Sequence, residues 1–124
     1  MAETADLVQV SHAGVTTLKW DWESAADGTV TGATTSVHTG KIAALLTDPD
    51  SGGDAPSDNY DIVVNDSDTL DVLAGGGANR SATAVEGVAS ASLGAVVNST
   101  LTLEITNAGS AKKGIVKVYI TRIP

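Results

Sequence analysis

The sequence predicts an all-β protein, a single antiparallel β-sandwich of jelly-roll-like form with about eight short strands. Three observations carry this. Short runs alternate apolar and polar residues, the period of a strand with one buried face. The runs recur at intervals of roughly a dozen residues, separated by Gly, Asp, Asn and Ser clusters, with no sustained helical period. Thr, Val, Ala, Gly and Ser dominate the composition, Phe is absent, and Trp20, Trp22, Tyr60 and Tyr119 are the only aromatics. A length of 124 residues suits one domain. Residues 1–12 read as an N-terminal arm or edge strand and residues 13–124 as the sandwich.

Taken in order, Asp6–Val10 is a short strand at an edge, or an arm reaching a neighbour. Thr16–Glu23 alternates most clearly, with Leu18, Trp20 and Trp22 on one face and Lys19, Asp21 and Glu23 on the other. Ser24–Gly28 is a turn in which Asp27-Gly28 is a hairpin signal. Thr29–Val37 is Thr-rich with a weak apolar face, which places it near an edge. Gly40–Thr47 reads as a strand with Ile42, Ala44 and Leu46 on one face and Ala43 and Leu45 on the other. Two prolines exclude Asp48–Asp58 from a central strand, so it is a polar loop. Tyr60–Asn65 is a strand. Asp66–Ser81 is a turn with room for one helical turn around Leu70–Leu73, followed by a glycine crossover at Gly75-Gly76-Gly77. Ala82–Ala89 reads as a strand and Ser90–Ser99 as an irregular connection. Thr100–Thr106 puts Leu101, Leu103 and Ile105 inward. Asn107–Lys113 turns, and Gly114–Ile123 closes the chain with Val116, Val118 and Ile120 on one face.

Charge and composition narrow the classes of function. The formal net charge is -8, which argues against nonspecific nucleic-acid binding, since that needs a basic stripe. The charge is uneven. Of the 15 acidic residues, 13 precede Val72, against Lys19 and Lys41 alone among the basic ones. The asymmetry allows head-to-tail or surface docking by charge complementarity. No cysteine is present, so disulfides and thiolate metal sites are excluded. The N-terminus has no basic segment or apolar core of signal-peptide length, and no run approaches the ~20 apolar residues of a membrane span. The chain therefore reads as soluble and unprocessed, and the two glycosylation sequons at Asn79 and Asn98 are set aside.

Candidate chemistry is sparse. Asp48, Asp50, Asp54, Asp58 and Asp61 offer hard oxygen ligands, and Asp48, Asp50 and Gly53 fit positions of a calcium loop. Gly52 and Asn59 then stand where further ligands are required, so a solvated loop without metal is expected. The glycine segment lacks the Lys-Ser/Thr of a phosphate loop and reads as a crossover or subunit contact. His12 and His38 are isolated in sequence and read as surface or turn residues. With Ser11 they would make a hydrolytic triad only beside a carboxylate. Trp20 and Trp22 share a face and are assigned to the core, because they are the largest side chains available. No catalytic residue, cofactor or metal site is expected.

Three segments carry a resemblance: KWDWESAADGTVTG (19–32), PSDNYDIVVNDSDTLDVLAGGGANR (56–80) and LTLEITNAGSAKKGIVKVYI (101–120). Together they resemble a family of small proteins from tailed bacteriophages, encoded among the structural genes. The resemblance implies a non-enzymatic virion component made in the host cytoplasm, a decoration or cement protein on the capsid surface. Its implied partner is the major capsid protein, and its implied form is a homo-oligomer, a trimer above others; contact with nucleic acid or membrane is not expected, on the grounds of charge and hydropathy given above. It supplies no active-site residues. Leu7, Val8 and Val10 of the arm and Gly75, Gly76, Gly77 and Asn79 of the crossover suit subunit or capsid contacts. The alternative is a tail, fibre or head-surface adhesion module binding host glycan, which needs Trp20 or Trp22 exposed.

Overall fold

A computed structural model describes residues 3–122 of the chain. It contains nine strands: β1 (Thr4–His12), β2 (Val15–Glu23), β3 (Val30–Thr34), β4 (His38–Pro49), β5 (Asp61–Asn65), β6 (Glu86–Ala89), β7 (Ala95–Ser99), β8 (Thr102–Thr106) and β9 (Lys113–Thr121). One 3-10 turn, Ser90–Ser92, interrupts them. Among the described residues no helix is long and apolar enough to cross a membrane.

The strands form two antiparallel sheets. The larger has the order β1-β2-β9-β4-β6, with β7 also paired to β4, and the smaller has the order β3-β8-β5. The inward faces meet as a sandwich, as the alternation predicts. Leu18, Trp20 and Trp22 of β2 and Val116, Val118 and Ile120 of β9 are buried with Ile62 and Val64 of β5 and Leu103 and Ile105 of β8. The all-β class, the single small domain and the core position of both tryptophans follow the sequence expectation.

Several elements differ from it, each for a local reason. β1 runs nine residues and pairs with β2 along its whole length, from Thr4↔Glu23 to His12↔Val15. The turn between them uses Ala13 at φ 52° and Gly14 at φ 81°, the two left-handed residues of a tight hairpin. Ala is not a usual residue there, so the sequence concealed the hairpin. Met1 and Ala2 of the arm lie outside the described residues, as does Ile123 of the last strand. Asp27-Gly28, by contrast, joins β2 to β3 in the other sheet and makes no hairpin. Asp27 Oδ1 accepts from the backbone and hydroxyl of Thr29, which closes the turn locally.

β4 is longer than expected, and its register on β9 shifts between Ile42 and Ala44. The extra residue inverts the alternation beyond it. Ile42 and Leu45 therefore point inward, and Leu46 faces out opposite Lys117. The expected strand Ala82–Ala89 is reduced to β6, because Ser81 Oγ accepts from the backbone of Thr83 and Ala84 and holds them in a turn. The expected irregular stretch Ser90–Ser99 contains β7, which buries Val96 against the core.

Both edges of the small sheet are covered. At β3, Glu3 accepts from the Thr31 amide at 2.7 Å, and just beyond the strand Gln9 Oε1 accepts from the Ser36 amide at 3.2 Å. At β5, the amides of Ile62 and Val72 bond the carbonyls of Gly77 and Val64 across the gap to the crossover. Covering an edge in this way removes a template for pairing with other chains.

Candidate functional site

β1 divides the contact residues expected of the arm. Leu7 turns inward opposite Trp20 and packs against the core, while Val8 and Val10 face out at 52% and 55% exposure. The strand is a built part of the large sheet. On the outer face of that sheet the register lines residues up in rows across β1, β2, β9 and β4. One row reads Asp6, Asp21, Ile115, Asp48. The next, two residues along, reads Val8, Lys19, Lys117, Leu46.

The crossover residues have separate roles. A Cβ on Gly77 would lie 2.2 Å from the Ile62 carbonyl oxygen, so the backbone passes where no side chain fits. Gly76 is hemmed in by Leu93 and the Leu73 carbonyl. Gly75 has φ 81° with open space around it. Asn79 is exposed at φ 56°, and its amide bonds Asp61 Oδ1 at 2.9 Å. No helical turn forms at Leu70–Leu73. Instead Asp66 Oδ1 accepts from the amides of Asp68 and Leu70, and the Asp71 carboxylate accepts from Val64, Leu73 and Gly75. These two aspartates fold the chain so that Val72 and Leu73 plug the core while Leu70 stands out in solvent.

Two clefts lie at opposite ends of the large sheet. One, of about 290 Å³, brings together His12, His38 and Arg122 with the hydroxyl-bearing Ser11, Thr16 and Thr39. The histidines, far apart in sequence, thus line the same cleft. No carboxylate lines the cleft among the described residues, so the acid of a triad does not join them. Burial pushes the His38 pKa down from its ordinary 6.5, and its Nε2 donates to Gln9 Oε1 at 3.0 Å. The other cleft, of about 360 Å³, is lined by Asp21, Asp48, Asp50, Lys113 and Ile115. Lys113 sits 3.9 Å from both Glu23 and Asp54.

The five aspartates considered for calcium are dispersed. Asp50 bonds the Gly52 amide, Asp54 pairs with Lys113, Asp58 bonds the Ala82 amide, and Asp61 bonds Asn79 and Asn107. Asp48 lies in the outer acidic row. Among the described residues no three acidic or histidine side chains gather as a metal cage.

The aromatic residues are internal. Trp20 and Trp22 are 0% and 1% exposed, so neither offers a platform to a sugar ring. Trp20 Nε1 donates to the Ala33 carbonyl at 2.9 Å, whereas Trp22 Nε1 has no partner among the described residues. Trp22 stacks at a tilt on Tyr60, with centroids 5.8 Å apart. Burial holds the Tyr60 pKa up at about 12, so its phenol stays neutral. Thr47 lies beside that hydroxyl, without hydrogen-bond geometry. No family model, no curated protein and no solved structure matches this chain.

Proposed function

We propose that the chain is a structural, non-enzymatic virion protein that binds the outside of a tailed-phage capsid and cements contacts between major capsid protein subunits. The reading starts from the resemblance of its three segments and is supported by one feature above others, the crossover Asp66–Arg80. This connection is held by its own aspartates and by backbone bonds to β5, yet it presents Leu70 at 62% exposure and the exposed Asn79 beyond the glycines. A loop ordered before binding loses little conformational freedom on docking, so an exposed apolar side chain on it contributes nearly its full burial energy. The crossover is the capsid-facing side in this reading, and Val8 and Val10 are contacts between subunits. A homo-oligomer would sum weak contacts through effective concentration.

The test is co-sedimentation of the purified chain with undecorated capsids, followed by imaging of the particles. Leu70→Asp should weaken binding by about tenfold or more, as expected for an apolar anchor, without altering the melting temperature. Binding should also weaken as salt rises. A wild-type chain that never sediments with capsids would overturn the reading.

A further inference from the structure

The two outer rows of the large sheet hold charges that make no ion pair among the described residues. Asp6 stands directly opposite Asp21, and Lys19 directly opposite Lys117. Like charges opposed across strands repel and weaken a sheet. The ion pairs among the described residues are Arg80–Glu86, Lys113–Glu23 and Lys113–Asp54. None of Asp6, Asp21, Asp48, Lys19 or Lys117 belongs to one, and among the described residues none makes a side-chain hydrogen bond. Five charged side chains therefore lie in two parallel rows of opposite sign, two residues apart along the strands.

This pattern has a particular symmetry. Consider a two-fold axis lying in the contact plane between the rows and parallel to them. It carries the acidic row of one copy onto the basic row of another, strand over strand. Lys19 then meets the partner's Asp21, and Asp21 meets the partner's Lys19. Lys117, on β9, falls between the partner's Asp21 and the partner's Asp48, because β9 lies between β2 and β4. Asp6 comes over the partner's Val8, and the partner's Asp48 comes over Leu46. A two-fold axis along the strands would instead set like rows against each other. The occupant with this pattern at this spacing is a second copy of the chain.

We propose that two copies pair face to face through the outer face of the β1-β2-β9-β4 sheet, acidic row against basic row. The contact is isologous, so it closes at two copies. It shields Val8 and flanks Val10 and Tyr119, which lie in the next row. Attraction between the rows also selects this register over its alternatives.

Charge reversal tests this on the purified chain, with mass measured by sedimentation and light scattering across concentration. The wild type should reach twice its 12.4 kDa and dissociate as salt rises. Lys19→Asp and Asp21→Lys should each weaken pairing by tenfold or more, because each sets like charges face to face twice. The double variant should pair again. An equimolar mixture of the two single variants should form heterodimers, since both contacts are then restored. Thermal melts of each variant confirm that the fold survives. A chain that stays monomeric, or a mass that neither reversal changes, overturns the proposal. Capsid binding is measured separately, so failure here leaves the capsid reading standing, and the reverse.

Discussion

At the scale of residues, the two tryptophans show how equal burial can hide unequal roles. Both fill the centre of the core, and replacing either by Ala should cost about 3–5 kcal/mol, as large cavities do. They differ in their polar edge. Trp20 donates to the Ala33 carbonyl while Trp22 Nε1 is buried without a partner. Phe at position 20 leaves that carbonyl short of a donor, whereas Phe at position 22 removes a polar atom that already lacked one. Trp22→Phe should therefore be milder than Trp20→Phe by about 1 kcal/mol, read from chemical denaturation. The reverse order would show that the Trp22 indole nitrogen is bonded in solution.

At the scale of elements, the connection from Asp66 to Arg80 does the work of a strand without being one. It supplies the β5 edge with backbone partners and sends Val72 and Leu73 into the core. Its passage depends on Gly77, where a methyl group would collide with the Ile62 carbonyl oxygen. Backbone cannot yield as a flexible side-chain tip can. Gly77→Ala should destabilise the domain by about 1–3 kcal/mol or more, whereas Gly53→Ala, in open space at ordinary φ, should be nearly neutral. Thermal melts of the pair decide this, and equal melting temperatures would mean that the crossover is not docked on β5.

At the scale of the whole molecule, the first strand decides how the protein can be dissected. An arm could be removed without harm to the sandwich. β1 instead pairs with the full length of β2, sets Ala5 and Leu7 beside Trp22 and Trp20, and is tied to β3 through Glu3 and to Ser36 just beyond it through Gln9. Deleting residues 1–10 should therefore lower the melting temperature by more than ten degrees or abolish cooperative folding, since about 1 kcal/mol alone shifts a domain of this size by several degrees. Circular dichroism melts of the truncated chain give the answer, and an unchanged midpoint would restore the arm. Point changes on the outer face, rather than truncation, are the proper probes of assembly.

The sequence by itself determined the class and most of the core. Strand period is a local property, so Leu18, Trp20, Trp22, Leu103, Ile105, Val116 and Val118 could be assigned inward without knowing their partners. Turn chemistry also placed most boundaries, because Asp, Asn and Gly bond or bend their own backbone. What only the tertiary structure decided was whatever depends on which strands become neighbours. The bulge in β4 inverted its face, a hairpin turn begun by Ala13 extended the expected edge strand to nine residues, and His12 and His38 came to line one cleft. The same holds for the outer rows. Asp21 and Lys19 are visible in β2, but their alignment with Asp6, Asp48 and Lys117 arises from register across four strands. Register is a property of pairing, and pairing is settled when the whole core closes.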